Sequence, residues 1–215
     1  MSSRTLRVDF VSDIACPWCA IGVHSLAEAA RRVAPDLALD WHFQPFELNP
    51  DMPPEGADTV AYLSAKYGIG EVQIRVNQQR IRERGAAVGF TFGERGRVWN
   101  TFDAHRLLAW AAEEGRQREL KEALLQAYHG DGRNPGSRDV LLDLAARVGL
   151  DTTRAAQILD GDDYAAAVRE AEQQWQQAGI RAVPAVVVEG RHLIEGAQTP
   201  EVFERVLRQV AAGAG

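Results

Sequence analysis

Two cysteines occur in the 215 residues, and they stand three apart in Cys16-Pro17-Trp18-Cys19. A thiol pair at this spacing can carry thiol–disulfide exchange: one sulfur attacks and the other resolves the mixed disulfide. The nucleophile in that chemistry is the thiolate, so what surrounds each sulfur decides its role.

The flanking residues supply such surroundings. Leu6-Arg7-Val8-Asp9-Phe10-Val11 alternates apolar and polar and then runs apolar, as a strand does. From Ala20 to Val33 the apolar residues Ile21, Leu26, Ala29, Ala30 and Val33 follow a helical period. Cys16 therefore falls at or beside a helix N-terminus, with Pro17 in the first turn, where its missing N–H costs nothing. Unpaired N–H groups and the positive end of the helix dipole favour the thiolate there. Cys19 lies one turn on, on the same face, close enough to close a small ring. Cys16 is the expected attacking thiol and Cys19 the resolving one. Pro17 stiffens the ring, and Trp18 offers a flat apolar surface beside the sulfur.

Other uses of the pair fit less well. Stabilising disulfides usually close longer loops in secreted chains. A structural zinc site needs two further ligands, and His24, His42, His105, His129 and His192 show no paired spacing, so no metal is expected. Net charge is −6, which argues against nucleic acid as a partner. The basic residues between Arg75 and Arg97 interleave with acids and read as a solvated helix face. No secretory h-region precedes the first strand, and no apolar run is long enough to span a membrane; the expected location is the cytoplasm.

Along the chain, Pro35-Asp36 marks a turn and Leu37 to Phe43 a second strand, parallel to the first. A breaker-rich loop runs from Phe46 to Gly56. Helical periodicity then dominates to Gly179, with no strand read inside it. The helices are expected at Asp58–Tyr67, Gly70–Val88, Thr101–Glu114, Arg116–His129, Ser137–Val148, Thr152–Leu159 and Asp162–Ala178. Asp58, Asn100 and Ser137 are the candidate N-caps, and Gly115, Gly149 and Gly179 the terminators. Strands return at Ala185–Glu189 and His192–Glu195, joined by a two-residue Gly190-Arg191 turn. An amphipathic helix from Glu201 to Val210 follows, with a frayed tail at 211–215. Trp41 and Trp175 are expected in the core; Trp99, Phe102 and Trp110 in the core or a pocket wall.

Without the helical block the order is β-α-β then β-β-α, the arrangement of thioredoxin. The chain resembles the DsbA family, and most closely its FrnE-like branch, cytoplasmic oxidoreductases related to 2-hydroxychromene-2-carboxylate isomerases. The resemblance rests on Asp13-Ile14-Ala15-Cys16-Pro17-Trp18-Cys19 with Ile21-Gly22, on Pro45 to Pro50, and on Asn100 to Leu107. It also rests on Val183-Pro184 with its hairpin, and on Gly196-Ala197-Gln198. It implies an α/β, thioredoxin-like fold with a large helical insertion: residues 1–57 and 180–215 in one discontinuous domain, 58–179 in the other.

It also implies site residues. By itself Pro184 reads as a trans proline opening a strand, since only about 5% of X–Pro bonds are cis. The resemblance implies a cis Pro184 packed on the cysteines, with the Val183 backbone free to pair an extended substrate. It places Asn100 and His105 beside the thiol pocket, although the residues alone suggest a helix cap and a satisfied histidine. Asp13 reads as a strand-end turn residue. The expected activity is thiol–disulfide oxidoreduction on protein or small-molecule substrates, with no tightly bound cofactor and glutathione as a candidate co-substrate. A homodimer is expected by analogy only. Two alternatives stand beside it: a glutathione-dependent isomerase or transferase, whose relatives typically carry serine in place of Cys16, and a redox-gated binding protein or holdase.

Overall fold

A computed structural model describes residues 4–213. The central strand β1 (Arg4–Ser12) is followed by α1 (Pro17–Val33) and β2 (Leu37–Pro45). β1 and β2 pair in parallel, with Val8 opposite Trp41 and Phe10 opposite Phe43. After the helical block come β5 (Ala185–Val188), β6 (His192–Glu195) and α9 (Pro200–Ala211). The sheet order is β2-β1-β5-β6, with β5 antiparallel to β1 and β6 antiparallel to β5. Because β1 is central, Leu6, Val8 and Phe10 bury on one face and Val11 on the other. The carboxyl end of this strand is thus surrounded by protein on both faces, and there the cysteine segment begins.

α1 packs on the sheet through Cys19, Val23, Leu26 and Ala29, and α9 covers it with Phe203, Leu207 and Val210. At Gly22 an added Cβ would stand 3.1 Å from the Phe10 ring and 3.3 Å from the Pro184 ring. The absent side chain lets helix, central strand and Pro184 approach closely. The Val183–Pro184 bond is cis, and so is Ala34–Pro35 at the end of α1.

Between β2 and β5 lie α2 (Thr59–Tyr67), α3 (Glu71–Ala86), α4 (Phe102–Glu113), α5 (Gln117–Leu125), α6 (Arg138–Arg147), α7 (Thr152–Asp160) and α8 (Ala165–Gln177). Asp58 caps α2 by accepting from the Ala61 N–H, and Asp151 caps α7. Gly115, Gly149 and Gly179 take positive φ just past helix ends. Several expectations are corrected. A short ladder, β3 (Ala57–Asp58) with β4 (Arg97–Val98), crosses the block; two residues per strand leave no period to read. The helix expected to reach His129 ends at Leu125 and loosens into a π turn, Gln126–Gly130. α8 begins three residues late, behind Tyr164 at φ 65. The hairpin loop holds three residues, with Glu189 and Gly190 both at positive φ. Trp41 and Trp175 are half-buried at the core margins. Ala211 is helical, and residues 214 and 215 of the expected tail lie outside the described residues.

The π turn is held by a tight backbone crossing. The Gly93 N–H donates to the His129 carbonyl at 2.9 Å, and a Cβ on Gly93 would lie 2.0 Å from the Gly130 carbonyl oxygen. Neither partner is a side chain that could swing aside. Gly93→Ala should destabilise the protein by about 1–3 kcal/mol, the usual range for overpacking, seen as a lower urea midpoint at unchanged slope.

Candidate active site

Cys16 occupies the N-cap position of α1 in extended conformation, with Pro17 as the first helical residue. Its own N–H donates to the Asp13 carbonyl at 3.3 Å, and its carbonyl accepts from the Cys19 N–H at 3.0 Å. Both thiols are free and buried, Cys16 at 4% exposure and Cys19 at 0%. The Cys16 Sγ lies 3.6 Å from the Val183 carbonyl oxygen, to which it donates as a thiol.

The two sulfurs differ electrostatically. A hydrogen bond from the Cys19 thiol pulls the Cys16 pKa down; burial opposes this, and the N–H groups of Cys19 and Trp18 assist. The net shift is downward, as a thiol at a helix N-terminus requires. Burial pushes the Cys19 thiol well up, and the hydrogen bond and charge of Cys16 push it further. One thiol is set to ionise and its neighbour to keep its proton.

Beneath them sits Asp13, fully buried. Its carboxylate accepts from the Ala15 N–H at 3.0 Å, the Leu48 N–H at 2.7 Å and the Thr101 hydroxyl at 2.8 Å, with His105 Nε2 at 3.4 Å. Burial raises its pKa, but His105 and the two N–H groups outweigh that, and the net direction is down. Its negative charge in turn raises the Cys16 pKa, partly opposing the helix terminus. Asp13 is therefore more than the turn residue its position suggested.

The expected site residues separate into groups. Cys16, Pro17, Trp18 and Val183 line one cavity of about 720 Å³. Pro184 lies behind them against Gly22. Asn100 does not line this cavity: its Nδ2 donates to the Pro50 and Met52 carbonyls, and its Oδ1 accepts from the Phe102 N–H. Thr101, one residue on, holds the N-cap position. His105 is buried behind the cysteines on Asp13 and faces a second, smaller cavity. Among the described residues no cluster of three or more His, Cys, Asp or Glu is placed to hold a metal ion.

Sequence reasoning missed the charge of the large cavity. Its charged lining residues are Lys66, Arg80, Arg95 and Arg181, all basic. Arg80 and Arg95 belong to the segment expected to be a solvated face. The segment is largely exposed, as expected, with Arg75, Arg80, Arg82 and Arg97 all solvated; one side of α3 nevertheless borders this cavity, and the half-buried Arg95 donates through Nη1 to the Ala15 carbonyl at 3.0 Å. Two further buried groups went unread, Lys121 on α5 and His129 in the π turn. His129 Nε2 donates to the Ile14 carbonyl at 2.8 Å, two residues before Cys16.

Burial, aided by the charge of Arg95, lowers the His129 pKa to about 3. The folded state thus keeps the ring neutral while the unfolded chain takes up a proton below about pH 6.5. Stability from this site is intact above pH 6.5 and is lost as pH falls from there toward 3, by at most about 1.4 kcal/mol per unit. His129→Gln keeps an N–H donor and cannot titrate. The loss of stability between pH 7 and pH 5, measured by urea unfolding, should shrink in this variant by up to about 2 kcal/mol.

No described helix is long and apolar enough to cross a membrane. A family model described as a DSBA-like thioredoxin domain matches residues 7–208. The probable DsbA oxidoreductase SCO1869 of Streptomyces coelicolor is 31% identical, with a TM-score of 0.89 over 96% of this chain and 90% of its own. The uncharacterized protein YwbO of Bacillus subtilis (strain 168) is 28% identical over 94% of this chain and 96% of its own length. The cytosolic disulfide reductase DsbM of Pseudomonas aeruginosa, solved with GSH, has a TM-score of 0.67 over 96% of this chain and 100% of its own. At 20% identity DsbM shares the fold. With a thioredoxin sheet, a close Cys16–Cys19 pair at its carboxyl edge and a model match over nearly the whole chain, this protein belongs to the DSBA-like thioredoxin domain family.

Proposed function

We propose that the protein is a thiol–disulfide oxidoreductase of the cytoplasm whose preferred substrate is a small anionic thiol or disulfide of the glutathione type. The observation that carries this reading is the placement of Cys16. Its sulfur is the one with the lowered pKa, and it opens into a cavity whose charged walls are all cationic in a chain of net charge −6.

The chemistry follows from the asymmetry of the pair. The Cys16 thiolate attacks one sulfur of a substrate disulfide, a Cys16–substrate bond forms, and the other half leaves as thiolate. The Cys19 sulfur then attacks Cys16 Sγ, closes the Cys16–Cys19 disulfide and releases the second half as thiol. Run in reverse, the protein's disulfide oxidises a dithiol. Trp18 and Pro17 flank the attacked sulfur, and the Val183 backbone can pair an extended substrate segment. Pro184 presents no N–H that would compete there. No resident cofactor is required, since electrons arrive and leave on thiols. The solution of DsbM with GSH supports glutathione as the thiol to try first.

Two variants and one substrate pair test this. Cys16→Ser should lose exchange with glutathione disulfide altogether. Cys19→Ser should stop at a stable one-to-one glutathione adduct on Cys16, read by intact mass. The wild-type protein should react at least about tenfold faster with glutathione disulfide than with the cationic disulfide cystamine at low salt, and the gap should narrow as salt rises. Equal rates would remove the anionic preference. An adduct that forms on Cys19 instead would reverse the assignment of the two thiols.

A further inference from the structure

Among the described residues Lys121 is the largest charged side chain to be fully buried. It stands on α5, in the helical block, with its Nζ 6.0 Å from the centre of the Phe43 ring. Phe43 belongs to the same packed core as Cys16 and Cys19. The amine has no hydrogen-bond partner among the described residues. A buried ammonium costs several kcal/mol unless an anion compensates it, and an apolar side chain of the same length would usually serve the core better. A purely structural reading leaves this residue unexplained.

The surroundings identify the compensating groups. Asp13 is the standing negative charge that acts on Lys121, and the two thiols add to it when they ionise, Cys19 more strongly than Cys16. On its side, Cys19 is pulled toward ionisation by Lys121, against all the effects that raise it. Lys121 also lines a cavity of about 200 Å³ between β2, α4, α5 and α8, with His105, Gln44, His42 and Gln117 on its walls; α8 adds only Ala167, Val168 and Ala171. His129, in the π turn, feels the same cation. Burial lowers the Lys121 pKa to about 8, and the negative charge nearby limits the fall; the ammonium form still prevails at neutral pH.

We propose that Lys121 is the positioning cation of the resolving step: its buried ammonium stabilises the Cys19 thiolate at the moment Cys19 attacks the mixed disulfide. The inference rests on the oxidoreductase reading above and adds a residue that the cysteine motif does not contain. In that step the Cys19 S–H bond breaks, a Cys19–Cys16 S–S bond forms and the Cys16–substrate S–S bond breaks. The electron pair leaves on the substrate sulfur, which ends as the thiol, and the proton of Cys19 passes to it through water. Lys121 makes and breaks no bond. Its charge lowers the cost of the one ionisation that the site otherwise opposes.

The test is a single turnover of reduced protein with excess glutathione disulfide, quenched in acid and read by intact mass as reduced, glutathionylated and disulfide forms. In Lys121→Met the glutathionylated form should accumulate. Its resolution should slow at least about tenfold at pH 7, with formation changed less than about threefold, and the pH profile of resolution should move to higher pH. Resolution at the wild-type rate with an unmoved profile would overturn the inference while leaving the oxidoreductase reading intact. Absence of any adduct in the wild-type protein would remove both. Should Lys121→Met not fold, the wild-type protein carries the test by lysine NMR. Oxidation of the pair removes any thiolate charge, so the Lys121 titration should move to lower pH; an unchanged midpoint would overturn the inference.

Discussion

The buried carboxylate of Asp13 is the point on which the site depends. It gathers donors from three segments far apart in sequence: the motif turn through Ala15, the loop after β2 through Leu48, and the entrance of α4 through Thr101 and His105. A buried anion is stable only when its lone pairs are filled, so these segments are fixed together around it. The helical block is thereby fastened to the thioredoxin sheet directly beneath the thiols. The same charge disfavours a thiolate at Cys16, and the head of α1 and the Cys19 thiol must overcome it. The reactivity of Cys16 is a balance set by one anion and several donors.

That balance gives the two cysteines opposite tendencies. Cys16 sits where N–H groups converge and faces the larger, cationic cavity. Cys19 sits one turn deeper among apolar side chains, where burial holds its proton. The sheet and helix that place them could be shared by many chemistries. What is particular here comes from the helical block, whose α3 brings Arg80 to the cavity and whose α5 buries Lys121 beside Phe43 in the core.

The cysteine motif, the strand before it and the helix after it were legible because all three are local. The spacing of two thiols, a proline at the first helical position and an apolar period each need fewer than twenty residues. Helix ends were legible where a side chain caps them, as at Asp58 and Asp151, or where a glycine takes positive φ. The resemblance carried Val183 to the cavity wall and Pro184 to its cis bond, which residue types alone did not. What stayed hidden is long-range. Asp13 looks like any turn residue until Leu48 and Thr101 are brought to it. Arg80 and Arg95 give no sign in the local pattern that they border the same cavity as Cys16. Nothing in the local pattern around Lys121 says that its amine is buried, since lysines on amphipathic helices are usually exposed. The π turn escaped because one extra residue in a helical turn leaves the apolar period almost unchanged.

The account turns on the asymmetry of Cys16 and Cys19, and a direct titration of both thiols tests it. Thiolate absorbance of the reduced wild-type protein, followed across pH with alkylation rates at each residue by mass spectrometry, resolves the two ionisations. The account predicts a first step at Cys16 below the free-cysteine value of about 8.5 and a second at Cys19 well above it. Two thiols titrating together near the free value, or Cys19 ionising first, would contradict it.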